Sequence, residues 1–438
     1  MGLDIQVIGA GLAGCEAAYQ IAKRGIRVAL YEMKPHKMTP AHRNTDFCEL
    51  ICSNSLKAAR IDSAAGLLKE EMRRIGSLLM TCADACAVPA GGALAVDRER
   101  FARMVTEAIR THPLITVIEQ EVETLPQEGI TVIATGPLTS DALADKIIQR
   151  CGGSLHFFDA AAPIVTADSI DMEYAFTASR YDKGGDDAYI NCPMNKEEYE
   201  RFHEALVQAE RAPRHDVDVQ NPKVYEGCMP VEILAQRGLD TLRFGPMKPV
   251  GLRDPRTGHR PWAVLQLRSE NANQSMYNLV GFQTNLKFPE QRRVFGMIPA
   301  LHDAEYVRYG VMHRNTFLDS PRLLSADYAM LDTPNLFFAG QMTGVEGYME
   351  SASSGMMAGI NAVKRMKGEP SVILPPTTMI GALSRYIADS TVKDFQPMGA
   401  NLGILPPLTE TIRDKRQRAA AYAQRSLEDL ARMMGQLS

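Results

Sequence analysis

Residues 5–32 constrain this chain more than any other stretch. An apolar run, Ile5 to Ile8, leads straight into Gly9-Ala10-Gly11-Leu12-Ala13-Gly14. A helix pattern follows, with Ala17, Ala18, Ile21 and Ala22 on one face and Gly25 as its stop. A second apolar run, Ile26 to Tyr31, ends on Glu32. Strand, glycine turn, helix, strand and terminal acid make the complete βαβ dinucleotide fingerprint, with the acid at about the ~20-residue distance such sites use. Gly9 is expected to make the tight turn, Gly11 to admit a pyrophosphate against the backbone, and Gly14 to let helix and strand pack closely. The helix start, from Leu12 and Ala13 on, then offers N–H groups to phosphate. Glu32 can accept hydrogen bonds from an adenosine ribose. The alternative is a glycine-rich turn in an unrelated α/β domain.

At 438 residues the chain has room for two or three domains. A hydrophobic fraction of 45% suits a large soluble core. The net charge of −4 excludes a molecule-wide nucleic-acid footprint, so any polyanion must be held by a local patch. No apolar run reaches membrane-spanning length, and the first strand starts too soon after Met1 to leave room for a signal peptide. The expected setting is cytoplasmic, with the eight cysteines as reduced thiols.

Residues 1–165 read as an α/β domain. The polar stretch Met33 to Lys57 is too long for a simple connector and is expected to be functional. A helix is expected from Ser63 to Leu79, and another from Arg98 to Thr111 capped by Asp97. Strands are expected at Ile115 to Ile118 and Ile130 to Ala134, the latter running into Thr135-Gly136-Pro137. A strand that stops on small residues lets the backbone pass close to a bound nucleotide. Residues 166–325 change character, with frequent Pro and Gly and no further fingerprint, and read as an inserted substrate domain of mixed α/β type. Residues 326–366 return to the buried pattern, and 326–438 read as the second part of the first domain. There a strand ends at Gly340, a turn carries Gly344 and Gly347, and a small-residue helix runs from Ser351 to Met366. A last helix is expected from Thr411 to Met434. A plain NAD domain does not need that late element. The reading is therefore a discontinuous Rossmann-type FAD-binding domain, glutathione-reductase-like, with an inserted α/β substrate domain.

Two cysteines stand out by context. Cys52 lies in a run from Cys48 to Lys57, followed by Ser53, Asn54 and Ser55. Helix-start N–H donors and a nearby cation in such a setting lower a thiol pKa. Cys228 lies between Gly227 and Met229-Pro230, on a turn that can present a nucleophile. Either could instead be a small buried hydrophobe, the commoner role of a single cysteine. Cys48 and Cys52 with Cys82 and Cys86 have tolerable spacing for a four-thiolate zinc site. No knuckle-like glycine or aromatic pattern surrounds either pair, so no metal is expected. Residues 243–260 carry Arg243, Lys248, Arg253, Arg256 and Arg260 against one acid, Asp254. The C-terminal helix carries Arg413, Lys415, Arg416 and Arg418. Phosphate contacts need such local clusters on a negative chain, and a solvated surface is the alternative. Arg308, Tyr309, His313 and Arg314 supply stacking and bidentate donors suited to a planar, glutamate-bearing cofactor or a flipped base, or else pack an interdomain contact.

Longer strings now carry a resemblance. They are GAGLAGCEAA from Gly9, FCELICSNSLKA from Phe47, TASRYDKGG from Thr177, YEGCMPVE from Tyr225, VGFQTNLK from Val280, YGVMHRNTF from Tyr309, FFAGQMTGVEGYMESASSG from Phe337 and LGILPPL from Leu402. Over nearly its whole length the chain resembles the bacterial folate- and FAD-dependent tRNA (uracil-5-)-methyltransferases. The larger flavoprotein that helps install carboxymethylaminomethyl groups on wobble uridines is similar around the fingerprint and the GQMTGVEGY block, but has a longer C-terminal region. The resemblance implies a reaction in which methylenetetrahydrofolate supplies a carbon to C5 of a T-loop uridine in tRNA. Reduced FAD supplies electrons, NAD(P)H reduces the FAD, and the carbon passes through flavin N5. It also implies that Cys52 and Cys228 are the functional thiols. Uracil C5 is a poor nucleophile, and a thiolate adding to C6 places electron density on it. Cys228 is the reading for that thiolate, and Cys52 for the group that takes the C5 proton or tunes the nucleophile. Arg243, Lys248 and Arg253 are the candidate grip on the tRNA backbone, and His313 and Arg314 candidate folate contacts. The same chemistry on ribosomal RNA, a small-molecule flavin oxidoreductase, and a non-catalytic flavin-containing tRNA-binding partner are the competing readings.

Overall fold

The computed structural model describes residues 5–39, 41–152, 155–182, 189–212, 229–310, 312–392 and 395–437. Its first sheet grows from the fingerprint. Strand β1 (Ile5–Ile8) pairs in parallel with β2 (Val28–Glu32) on one side and with Thr131–Ile133 on the other. Ile115–Glu119 extends the sheet beyond β2, and Thr333–Phe338 beyond Thr131–Ile133, both in parallel. Ala329–Met330 closes that edge in antiparallel fashion. The central strands are buried on both faces, which is why they read as unbroken apolar runs.

Helix α1 (Leu12–Lys23) starts at Gly11 and packs against the late helix Tyr348–Met366. The contact is glycine-mediated. A Cβ at Gly355 would lie 2.0 Å from the Ala13 carbonyl oxygen, and one at Gly359 2.7 Å from that of Ala17. The small-residue helix is thus buried nearly all round, which unites the first and last parts of the sequence in one core.

Several expected elements differ in extent: the late helix starts at Tyr348, not Ser351, and the last helix is Lys415–Met433, capped by Asp414, not Thr411–Met434, so Arg413 precedes it. The second strand begins at Val28, not Ile26, because Gly25 takes a left-handed φ of +79° and the Ile26 N–H turns back to the Ile21 carbonyl as a helix cap. The helix expected from Ser63 to Leu79 is two helices, α2 (Ala64–Ile75) and α3 (Leu78–Ala85). Gly76, at φ +90°, ends the first, and the Ser77 hydroxyl accepts the Met80 N–H to cap the second. Asp97 caps the next helix, Arg98–Arg110, as its spacing implied.

A second sheet is wholly antiparallel. Its order is Phe176–Thr177, Ile190–Met194, Ala263–Ser269, Met276–Leu279, Ile164–Thr166 and Tyr306–Arg308. One face is apolar. Val165, Leu265, Leu267 and Leu279 pack there with Phe202, Phe282 and Phe295. The other face carries Asn191, Gln266, Arg268, Asn278 and Arg308, all buried. A ribbon of Leu155–Ala160 against Met312–Phe317 joins the two sheets' regions of the chain. A small third sheet, Ser55–Ala58, Ala93–Val96 and Ala87–Val88, follows directly on the Cys52 loop. Among the described residues no helix is long and apolar enough to cross a membrane.

Candidate functional site: a nucleotide cleft with a clamped cysteine loop

A cleft of about 410 Å³ opens at the carboxyl end of β1. Gly9, Ala10, Gly11, Leu12 and Ala13 line it, with Glu32, Gly136, Gly340 and the helix start at Gly347. Its volume falls in the roughly 300–1,000 Å³ range of small-molecule sites. Gly9 sits at φ +98°, and a Cβ there would lie 2.7 Å from the Ala134 carbonyl oxygen. Gly14 would clash at 1.7 Å with the Gly9 carbonyl oxygen, so it serves helix–strand packing and does not line the cleft. At Gly11 and Gly136 a Cβ would meet no protein atom within 4 Å. At Gly136 the left-handed φ of +69° already favours glycine, whereas at Gly11 no contact in the fold demands it and a pyrophosphate against the backbone would.

Glu32 accepts the Ala10 N–H on Oε2 (2.8 Å) and the Lys34 N–H on Oε1 (3.0 Å), which fixes its carboxylate at the cleft edge. Both α1 and the helix from Tyr348 begin at the cleft, so two positive dipole ends face it. This donor set, glycine cradle and cleft-edge acid fit FAD. Gly340, at φ +83°, passes within 3.2 Å of Ala13 Cβ on the cleft wall. Gly347, at φ +128°, sits over the Glu350 carboxylate, which forms a 2.7 Å ion pair with Lys57. Gly344 is placed otherwise. A Cβ there would strike the Phe395 ring at 2.4 Å, and the residue lies off the cleft lining.

The long polar stretch after β2 forms one wall, and Cys52 lies in it, half-buried and on the cleft. Its loop is clamped from several elements. Arg98 Nη1 donates to the Leu50 carbonyl (2.7 Å), and Arg98 pairs with Glu270 at 2.8 Å. The Tyr348 hydroxyl accepts the Cys52 N–H (2.8 Å) and the Ser53 N–H (3.3 Å). Arg268 donates from Nε to Asn54 Oδ1 (3.0 Å) and from Nη2 to Ser53 Oγ (2.7 Å). Asn54 Nδ2 in turn donates to the Val96 and Ser269 carbonyls. Arg268 and Glu270 belong to the antiparallel sheet's part of the chain and Tyr348 to the late helix, so three distant segments hold one thiol loop. Burial pushes the Tyr348 hydroxyl above its ordinary pKa, keeping it a neutral acceptor with its own proton to give.

Burial also separates the thiols. It raises Cys48 and Cys86, pushes Cys151 up to about 11 and Cys82 to about 12, and raises Cys192 further. Those groups are protonated, poor nucleophiles at neutral pH. Among the described residues no three His, Cys, Asp or Glu side chains gather in a metal-holding group. Cys228 lies outside the described residues, as do the side chains of His313 and Arg314. The described chain resumes at Met229, and the Val231 N–H donates to the carbonyl of Gln283, a cleft-lining residue.

The basic stretch is divided in its roles. Arg243 stacks 3.7 Å over Trp262 and pairs with Asp240, and Arg256 pairs with Asp254 at 2.8 Å. Lys248, Arg253 and Arg260 are exposed. Arg180 ties this loop to the sheet's polar face, donating to the Val250 carbonyl and to Gln266 Oε1. Sequence reasoning missed Tyr348, Arg98 and Arg268, which hold the Cys52 loop. The Tyr348 ring lies inside a quoted motif, and that proximity to Gly347 was the one signal available.

The chain matches a family model described as glucose inhibited division protein A over residues 4–370. It is 60% identical, over 99% of both chains, to the methylenetetrahydrofolate–tRNA-(uracil-5-)-methyltransferase TrmFO of Acetivibrio thermocellus. It is 59% identical to the enzyme of the same name from Desulfitobacterium hafniense, over 97% of each. Among solved structures it is similar to Aquifex aeolicus GidA in the form II crystal, with a TM-score of 0.71 at 16% identity, covering 99% of this chain and 73% of that one. At that identity the likeness shows the fold, a GidA-like flavoprotein α/β architecture.

Proposed function

The chain belongs to the methylenetetrahydrofolate–tRNA-(uracil-5-)-methyltransferase family, and from that membership we propose how its cleft performs the reaction. It methylates C5 of a uridine in tRNA with methylenetetrahydrofolate as carbon donor. Bound FAD supplies the electrons that bring the carbon to the methyl level. The finer assignments are our reading. The target is a T-loop uridine, NAD(P)H is the reductant, and the reaction takes place in the cytoplasm.

A thiolate adds to uracil C6, the C5–C6 π electrons move toward O4, and C5 becomes the nucleophile for the one-carbon unit. The C5 proton then leaves to a base, the bond between the new carbon and its carrier nitrogen breaks to leave a methylene on C5, and a hydride equivalent reduces that methylene to methyl as the thiolate departs and the C5–C6 double bond re-forms. We assign addition to Cys228 and the C5 proton, or tuning of the nucleophile, to Cys52. The observation that carries the reading is the clamped Cys52 loop on the wall of the dinucleotide cleft. A group that must meet a substrate atom gains from being fixed before the substrate arrives. His313 and Arg314 remain the proposed folate contacts. For tRNA, exposed Lys248 and Arg253 suit phosphate contacts, whereas Arg243 supports the loop through Trp262 and Asp240. The target base must leave its stack to reach C6 and C5 chemistry, which a loop uridine does at low cost.

Trapping with tRNA carrying 5-fluorouridine tests the division of roles. The expected result is a covalent complex with Cys52→Ala and none with Cys228→Ala. The converse pattern reverses the two assignments.

A further inference from the structure

One row of side chains crosses the antiparallel sheet. Arg268 is the cross-strand partner of Asn278, Asn278 of Ile164, and, past a β-bulge between Tyr306 and Arg308, Ile164 of Arg308. Directly opposed residues in antiparallel strands project to the same face. The Arg268 end of the row meets Ser53 and Asn54, so this face fronts the Cys52 loop. The two ends behave differently. Arg268 is fully engaged in holding the loop. Arg308 and Asn278 are only 7% and 3% exposed, and neither Arg308 Nε nor Asn278 Nδ2 has a hydrogen-bond partner among the described residues. Burial lowers the Arg308 pKa, the nearby charges of Arg98 and Arg43 lower it further, and Cys52 acts on it in the opposite sense. The guanidinium therefore lies within electrostatic reach of the candidate thiol. A buried donor without an acceptor is costly, and such groups in folded proteins call for a reason, a bound ligand among them.

We propose that Arg308 and Asn278 form a carbonyl-oxygen site beside Cys52, which receives O4 of the target uracil. The proposal rests on the function derived above. Addition of a thiolate to C6 breaks the C5–C6 π bond and leaves the electron pair delocalised over C5 and O4. A buried guanidinium and an amide N–H aimed at O4 stabilise that enolate more than the neutral ring, which is the differential binding that accelerates a step. The charge on O4 is discharged when C5 gives its pair to the incoming carbon; loss of the C5 proton restores the enolate, which expels the carbon's carrier nitrogen, and the thiolate leaves C6 when the methylene takes up a hydride equivalent. The pterin ring of the folate carries the same lactam carbonyl, and the test separates the two sources.

The test uses holoenzyme, an unmodified tRNA transcript and methylenetetrahydrofolate labelled on its one-carbon unit. Wild type, Arg308→Lys, Arg308→Met and Asn278→Ala are compared for bound FAD, kcat and the KM of each substrate. The expected result for Arg308→Met is unchanged FAD content, a tRNA KM within about threefold, and kcat down by about 10²–10³. Arg308→Lys should recover part of that loss, and Asn278→Ala should lower kcat by a smaller factor. A folate KM raised about tenfold or more with kcat unchanged would assign the carbonyl to the pterin and overturn the uracil site. Activity within about twofold of wild type in all three variants, or loss of FAD from all three, would overturn the proposal. A wild type that makes no 5-methyluridine from folate sinks the parent function. An active wild type beside an equally active Arg308→Met sinks only this site.

Discussion

Cys52 shows how much of a residue's role is set by groups far from it in sequence. Its motif marks it as a candidate, and the fold adds the clamp of Arg98, Arg268 and Tyr348 that makes its position fixed. Replacing Tyr348 by Phe removes the acceptor for two amides and leaves the ring in place. Each stranded N–H costs about 1–3 kcal/mol unless the loop shifts to satisfy it. We expect Tyr348→Phe to retain FAD while kcat for methyl transfer falls about 10- to 100-fold, in line with displacement of a positioned group. Wild-type kcat in that variant would show that the loop is held without the hydroxyl. None of this clamp was legible locally, because a hydroxyl acting across 296 residues leaves no spacing signal. Arg243 teaches the same lesson in reverse. Its charge is plain in the sequence, but its stacking on Trp262 and its pairing with Asp240 are not.

Helices and strands were more legible than their partners. The fingerprint strand, turn and helix appear where the apolar period placed them, because a buried parallel strand and a glycine turn are local requirements. The α2–α3 break was also written locally, in Gly76-Ser77, but the apolar period runs through it and masks it. The packing of α2 against the C-terminal region was invisible. There Glu71, fully buried, accepts the Met379 and Ile380 N–H groups at 2.7 and 2.9 Å and the Ser426 hydroxyl, binding three elements together. Burial raises its pKa from 4.5 to about 7. Between those values the folded chain holds a proton that the unfolded chain has released. The stability linked to this proton is therefore full below about pH 4.5 and lost as pH rises to about 7. The gap in melting temperature between wild type and Glu71→Gln should accordingly narrow from about pH 5 to about pH 8. A gap that widens with pH would mean that the carboxylate is stabilised in place.

At the scale of the molecule, one discontinuous nucleotide-binding fold and one antiparallel sheet meet at the Cys52 loop. The late glycine element revealed the discontinuity, since nothing else explains a second strand–turn–helix so far from the first. The polar face of the antiparallel sheet was not foreseen, because its residues are spread over four of the six strands and each looks like an ordinary surface residue in its own segment. The negative net charge leaves RNA affinity to local cations. Replacing Lys248 and Arg253 together by Gln should weaken tRNA binding and lower the slope of log K against log salt by about 2, at ~0.9 per lost phosphate contact. An unchanged slope would remove this loop from the tRNA-binding surface. The central claim, methyl transfer from folate to tRNA in this cleft, is tested most directly with purified protein, unmodified tRNA transcript, NADPH and methylenetetrahydrofolate labelled on its one-carbon unit, with labelled S-adenosylmethionine as a parallel donor. The account predicts label from folate in 5-methyluridine after nuclease digestion, abolished by Cys228→Ala and by Cys52→Ala. Label arriving from S-adenosylmethionine, or no label in tRNA from a yellow protein that still oxidises NADPH, would contradict it.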